Sequence, residues 1–272
     1  MFLSVLAFAF VNTFVKLLSN FPAHELIFFR SIISLSLCLF ALRNNTNPFF
    51  GNNKKWLLIR GFAGVTALTL FFVTIQNISL ANAVSIQYLS PLFTVVIGIF
   101  LLKEKVKKVR WLYFAMAIIG VFVIKGFNTD LEWKYLLIGL ASAFFSGIAY
   151  NAVRKCKTSD DPIRVVMYFP LIATPIMGIW CLTEFVVPHG IEYLYIALMG
   201  IFTQFAQINM TKALQNNEAS VVTPVKYLGA IFAVAIGYFM FDESLTPSNI
   251  AGIGIILLAV LFNSFTPALS KK

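Results

Sequence analysis

Charged residues are scarce in this sequence of 272 residues. Asp, Glu, Lys and Arg together make up 12% of it, whereas soluble domains contain about 25%. Cysteine and histidine are rarer still, with three and two copies. Cys38, Cys156 and Cys181 lack both the close spacing of zinc ligands and the density of a disulfide framework. The sequence therefore predicts no metal site and no disulfide-stabilised fold, and we expect no cofactor.

The motifs of common enzymes are absent as well. The sequence has no G-x-x-x-x-G-K-[ST] loop for ATP and no H-E-x-x-H zinc motif. Its two histidines, His24 and His189, lie near predicted loops. An enzyme embedded in a membrane would show acids or histidines clustered at one face, and this sequence shows no such cluster. We therefore predict that the protein is not an enzyme and has no catalytic residues.

Apolar residues instead fill the chain, and 59% of the sequence is hydrophobic. A helix of about 20 apolar residues crosses the roughly 30 Å of bilayer hydrocarbon. The first apolar run has no basic leader and no cleavage site, so we predict that it is a retained helix. The sequence thus predicts an all-α polytopic membrane protein in a lipid bilayer. The ten predicted spans cover 1–19, 24–42, 57–76, 82–102, 109–125, 134–153, 164–184, 192–212, 219–241 and 248–266.

The basic residues indicate how these spans are oriented. With the N-terminus inside, sixteen of the twenty-one lysines and arginines, Arg60 among them, fall on cytoplasmic loops and span ends. This asymmetry follows the positive-inside rule. It predicts that both termini are cytoplasmic, with residues 267–272 as a short basic tail. Because the basic residues are spread over separate loops, the charge of +10 reflects topology, and we predict no nucleic-acid partner.

The chain also contains an internal repeat. Residues 76–104 and 215–243, aligned without gaps, are identical at ten of twenty-nine positions. The loop after the first copy is basic and the loop after the second is acidic, which indicates that the copies cross the membrane in opposite directions. We predict two inverted repeats of five spans, 1–125 and 134–266, around a central cavity. Inverted repeats are typical of alternating-access carriers.

Together these features resemble the EamA family of the drug/metabolite transporter superfamily. The resemblance depends on the ten spans, the arginine in ELIFFRSIISL, the proline in YLSPLFTVVIG and the glutamates that close LLKE and MFDE. It implies a carrier of metabolites, such as amino acids or their relatives, in a bacterial inner membrane. The first span begins without the usual basic lead-in. The second repeat has Ala230 opposite Pro91, with its own Pro224 six residues earlier.

Two cations fall deep within predicted spans. Lys226 lies about 10 Å from the inner end of its span and Arg30 about 9 Å from the outer end of its own. Isolated cations at such depth cost about 2.5 to 3.5 kcal/mol each. We predict that both line a wet cavity and attract an anionic group. The alternative is a structural role in which backbone carbonyls and tyrosines such as Tyr227 hold the cations.

Polar residues at helical spacing extend this predicted site. Ser146 and Tyr150 are four residues apart, Gln204 and Gln207 are three apart, and Gln87 aligns with Lys226 in the repeat. Pro91 and Pro224 are predicted to break helices beside the site, with a role in gating. The predicted cavity residues are Lys226, Arg30, Gln87, Tyr88, Tyr227, Asn12, Gln204, Gln207, Ser146 and Tyr150.

Two glutamates at predicted helix ends are expected to have a structural role rather than a chemical one. Glu104 and Glu243 close helices, where a negative charge opposes the helix dipole, so we predict that free N–H groups at the start of the next span bind them. The function predicted is secondary transport of a small-molecule substrate. A phosphate-sugar or nucleotide-sugar carrier of the same superfamily and a non-transporting membrane protein are the alternatives, and a homodimer is left open.

Overall fold

A computed structural model describes residues 1–43, 50–101, 107–125, 132–216, 225–226, 228–244 and 246–266. In these ranges all regular secondary structure is helical, so the prediction of an all-α fold is confirmed. The helices are α1 (Phe2–Leu17), α2 (Ala23–Leu42), α3 (Lys54–Asn77), α4 (Leu80–Gln87), α5 (Ser90–Leu101), α6 (Val109–Lys125), α7 (Trp133–Lys155), α8 (Pro162–Trp180), α9 (Glu192–Asn216), α10 (Leu228–Phe241) and α11 (Pro247–Phe265).

Six of the described helical segments are long and apolar enough to cross a membrane. These are α2, α3, α7, α8, α11 and the pair α4 and α5 taken as one segment, Leu80–Leu101. Shorter apolar helices are Phe2–Leu17, Val109–Ile124 and Leu228–Phe241. Large apolar side chains such as Leu182 and Phe239 are more than three-quarters exposed, as expected where lipid is the solvent. The protein is a multi-pass membrane protein.

Local sequence signals explain where several helices begin. The Ser79 hydroxyl caps α4 by accepting the Asn82 N–H, and the Thr246 hydroxyl caps α11 by accepting the Asn249 N–H. Pro162 occupies the first turn of α8, where its missing N–H leaves no intrahelical hydrogen bond unmade.

The fourth predicted span is divided into two helices. α4 ends at Gln87 and α5 begins at Ser90, so Pro91 lies in the first turn of α5. Proline has no N–H to donate to the Gln87 carbonyl four residues earlier, so one hydrogen bond of a continuous helix through this point is missing. The interruption itself lies at Tyr88 and Leu89, immediately before the proline.

Helix packing follows a reciprocal pattern. α2 packs on α8, α6 on α11, and α4 on α10; α3 packs on α7, and α1 packs on α9. Each helix before residue 126 has a counterpart five predicted spans later in the chain. If every helix is replaced by its counterpart, the same set of packed pairs is obtained; for example, the pair α3 and α7 becomes the pair α9 and α1. α6 and α11 approach each other closely, since a Cβ added at Gly120 would lie 2.9 Å from the Gly252 carbonyl oxygen.

Candidate functional site

A cavity of about 180 Å³ lies inside the helical bundle. Its lining comes from α1, α2, α3, α4, α7, α8, α9 and the start of α10. We call the end of the bundle at which α1 and α3 begin the near end, and the opposite end the far end. The Ser4 hydroxyl of α1 donates to the Ala206 carbonyl, so the last turns of α9 also lie at the near end. The cavity extends to that end, where Met1 and Met210 line it.

Among the described residues, three cationic side chains line the cavity: Arg30, Arg60 and Lys226. The two arginines are almost fully buried, with 2% and 5% of their surface exposed, and Lys226 is half-buried. Burial on this scale is rare for charged side chains unless they are paired or serve a function.

Arg30 projects from α2 between two aromatic rings. Its guanidinium carbon lies 5.6 Å from the centre of the Phe72 ring and 5.3 Å from that of Phe169. Such cation–π contacts stabilise a buried guanidinium without neutralising its charge.

Arg60 approaches the same space from α3. Its guanidinium carbon lies 5.9 Å from the Phe169 ring centre, and its Nη2 donates to Gln207 Oε1 at 3.3 Å. Phe169 of α8 therefore contacts two arginines that come from different helices.

Lys226 lies two residues before α10, on another wall of the cavity. Its Nζ is 4.2 Å from the centre of the Tyr150 ring. The Tyr88 hydroxyl donates to the Lys226 carbonyl at 2.8 Å, which ties the end of α4 to the start of α10. A Cβ at Gly229 would overlap that hydroxyl, so the glycine leaves room for this hydrogen bond.

Gln87 is oriented by two serines of α7. Its Nε2 donates to Ser146 Oγ at 2.8 Å, and Ser142 Oγ donates to Gln87 Oε1 at 2.9 Å. With both ends of the amide engaged, Gln87 has a defined position in the cavity wall.

Most of the predicted site residues meet in this cavity. Arg30, Lys226, Gln87, Tyr88, Asn12, Gln207, Ser146 and Tyr150 all line it. Their role in binding a ligand stays a prediction. Tyr227, Pro224 and Glu104 lie outside the described residues.

The structure corrects two predicted positions. Gln204 does not line the cavity; it is buried against α2, where it accepts a hydrogen bond from Ser34 and its Nε2 contacts Cys38 Sγ at 3.0 Å. Arg60 was assigned to a cytoplasmic span end, yet it is buried in the cavity wall. Arg60 is the seventh residue of α3, a depth similar to that of Lys226 in its predicted span. This depth is the sequence signal that indicates a cavity position for Arg60.

A second polar cluster, formed by Lys16, Glu243, Ile78 and Leu80, closes the far end. Lys16 Nζ lies 2.6 Å from Glu243 Oε1 and also donates to the Ile78 carbonyl at 2.8 Å. Both carboxylate oxygens of Glu243 accept the Leu80 N–H, at 3.0 and 2.8 Å. Glu243 thus binds a helix start, as predicted, but the helix is α4 in the other half of the chain rather than the following α11.

Known proteins resemble this chain along most of its length. It is 29% identical over 270 residues to the pseudopaline exporter CntI of Pseudomonas aeruginosa, covering 97% of this chain and 95% of that protein. It is 26% identical over 237 residues to the S-adenosylmethionine uptake transporter of Rickettsia prowazekii, covering 86% and 79%. Solute carrier family 35 member G1 of Homo sapiens is 27% identical over 273 residues, covering 92% and 73%.

A solved crystal structure has the same fold. It superposes with a TM-score of 0.67 at 17% sequence identity and covers 95% of this chain and 96% of that chain. The model of the EamA-like transporter family matches residues 1–126 and again residues 133–265, and the chain therefore belongs to this family.

Proposed function

We propose that this protein is a secondary carrier that moves a small metabolite with an anionic group through the cavity by alternating access. The observation that carries the proposal is the set of buried cations around a space inside a membrane protein. Charged groups at membrane depth are expensive and usually mark a ligand or ion pathway. An anionic ligand would offset that cost.

The packing pattern supports two inverted repeats, 1–125 and 134–266, with five spans each. Exchanging the two halves returns the same helix pairs, and the family model matches the chain twice. In carriers built from inverted repeats the site lies between the halves near the midplane. The bond from Tyr88 to Lys226 joins those halves at the cavity.

The unequal ends of the bundle support alternating access. The cavity extends to the near end, whereas the cluster of Lys16, Glu243, Ile78 and Leu80 ties α1, α4 and α10 together at the far end. In this mechanism the far-end contacts break when the near end closes. Pro91, which follows the break between α4 and α5, is proposed as a hinge for that change.

The near end is proposed to face the cytoplasm of a cell whose inner membrane holds the protein, with both termini inside. The distribution of lysine and arginine supports this orientation. The relatives include both an exporter and an uptake transporter, so we leave the direction of transport out of the proposal.

The proposed substrate is an amino-acid-like or other metabolite with a carboxylate. A phosphate-bearing metabolite, such as a sugar phosphate, is the second candidate, because guanidinium groups bind phosphate and carboxylate in the same two-pronged geometry. The named relatives are transporters, which disfavours an enzyme or a scaffold.

Replacement of Lys226 tests the proposal. Lys226→Gln keeps a hydrogen-bond donor of similar size but removes the charge, so we expect loss of uptake into proteoliposomes with little change in folding. A ligand at 100 times its Kd stabilises the protein by about 2.7 kcal/mol, and this stabilisation should disappear in the variant. Amino acids, carboxylates and sugar phosphates form the screening panel.

Lys134→Gln is the matched control, because Lys134 is exposed at the start of α7 and does not line the cavity. It should behave as the native protein. Undiminished uptake by a well-folded Lys226→Gln protein would show that the lysine has a structural role.

A further inference from the structure

Among the described residues, the charged side chains on the cavity wall are all cationic. In the described part of the chain no Asp or Glu lines it. Several acids elsewhere in the described chain have partners of their own: Glu25 accepts the Val186 N–H, Glu243 pairs with Lys16, Asp160 accepts the N–H groups of Asn52 and Asn53, and Asp161 pairs with Arg164. Arg30, Arg60 and Lys226 together give this wall a formal charge of +3.

The two arginines also repel each other. Both guanidinium carbons lie within 6 Å of the centre of the Phe169 ring, and the two groups interact electrostatically. Two like charges in a low-dielectric site are unfavourable without a counter-ion. The fold nevertheless holds both guanidinium groups against one ring, which indicates that a counter-ion from outside the protein compensates their charges.

Several guanidinium nitrogens remain available for a ligand. Among the described residues Arg30 has no hydrogen bond or salt bridge, and its Nε is buried without a partner. Arg60 has one hydrogen bond, to Gln207, and its Nε is likewise unpaired. Guanidinium groups present donors in a planar fork that suits carboxylate and phosphate oxygens.

We propose that the ligand of this cavity carries at least two negative charges, which together compensate Arg30, Arg60 and Lys226. This inference rests on the proposed carrier function and narrows its substrate class. A singly charged anion would leave two of the three cations uncompensated. A simple zwitterion would add an ammonium group to a wall on which the described residues provide no acid.

Matched pairs of small probes test the charge requirement. Succinate and butyrate have the same carbon number but differ by one carboxylate, and glucose 6-phosphate and glucose differ by one phosphate. Thermal unfolding of the purified full-length protein is measured with each probe at constant ionic strength. We expect at least one doubly charged probe to stabilise the protein more than its less charged partner, and the two pairs distinguish carboxylate from phosphate.

Two variants locate the effect at the arginine pair. Arg60→Gln removes a charge, and Gln207→Glu places a permanent carboxylate beside Arg60 that competes with the ligand. Because Gln207→Glu adds a counter-ion to a buried cation, we expect it to fold even if Arg60→Gln does not. In each variant the Kd of the doubly charged probe should rise at least about tenfold. Lys54→Gln, at an exposed position on the same helix, is the control and should leave the Kd unchanged.

The outcomes separate this inference from the carrier function. Equal stabilisation by both members of each pair, or an unchanged preference in both variants, overturns the charge requirement. If serine or glucose stabilises the protein and is transported while neither doubly charged probe acts, the inference fails and the carrier function stands. If nothing in the probe set or the metabolite panel binds or is transported, both proposals fail.

Discussion

At the scale of single residues, Glu243 shows how a charge becomes stable at a helix end. It follows the C-terminus of α10, where a carboxylate opposes the helix dipole. It is stabilised instead by the Lys16 ammonium and by the free Leu80 N–H at the start of α4, where the dipole favours a negative charge. One side chain therefore connects three segments that are distant in sequence.

Replacing Glu243 by glutamine should destabilise the far end. The amide can still accept the Leu80 N–H, but it leaves Lys16 without a counter-ion in a site where only 18% of the lysine side chain is exposed. We expect a loss of about 1.5 to 3 kcal/mol, the usual contribution of a hydrogen bond to a charged group. Thermal unfolding in detergent measures it.

A double-mutant cycle with Lys16→Gln supplies the control. If the two residues form one unit, the double variant should lose less stability than the sum of the two single variants. Glu132→Gln, an exposed change before α7, should have no effect. Strictly additive losses would mean that Lys16 and Glu243 act independently.

At the scale of helices, glycines decide how closely α6 and α11 approach. A Cβ at Gly252 would lie 2.7 Å from both the Gly120 carbonyl oxygen and the Ile124 backbone nitrogen, whereas a Cβ at Gly254 would meet nothing within 4 Å. Of these two glycines, only Gly252 lies in the interface. Two residues along a helix correspond to about 200° of rotation, so the second glycine faces away.

Alanine substitutions at these two glycines should therefore differ. Gly252→Ala inserts a methyl group against rigid backbone and should lower stability by about 1 to 3 kcal/mol. Gly254→Ala meets open space and should be neutral or stabilising by up to about 1 kcal/mol, because alanine favours the helix. Thermal unfolding of the two variants makes the comparison. Equal effects would show that α6 and α11 are not in tight contact at Gly252.

At the scale of the whole molecule, the orientation in the membrane can be tested by cysteine labelling, because the native cysteines should not react with the label. Cys38, Cys156 and Cys181 are all buried. Cys156 lies just beyond α7, where burial, together with the charge of Asp160, raises the pKa of its thiol to about 12. The thiol therefore stays protonated and unreactive at every pH well below 12, since only the thiolate reacts.

Engineered cysteines should then report the two faces of the membrane. Lys157→Cys is exposed after α7, at the near end, and Tyr193→Cys is exposed near the start of α9, at the far end. In spheroplasts treated with a membrane-impermeant maleimide, Tyr193→Cys should be labelled at once and Lys157→Cys only after permeabilisation. The native protein should remain unlabelled. Labelling of Lys157→Cys alone in intact spheroplasts would mean that the near end faces outward.

The sequence alone predicted the helices and much of the cavity wall. Span length and apolar composition are local properties, because in lipid each helix must satisfy its backbone hydrogen bonds within itself, whichever helices are its neighbours. Most of the predicted spans therefore overlap helices of the described residues, although the fourth is divided between α4 and α5. Lys226 and Arg30 stood out for the same local reason, since a cation in an apolar run is conspicuous without knowledge of its contacts.

Only the tertiary structure decided which side chains share a space. Gln204 and Gln207 are three residues apart on α9, yet α2 covers Gln204 while Gln207 meets Arg60 in the cavity. Arg60 lies in the cavity wall with Arg30, and both contact Phe169 of α8. Contacts of this kind depend on which helices become neighbours. That choice is made by packing across the whole bundle, whereas hydropathy registers only the local chain.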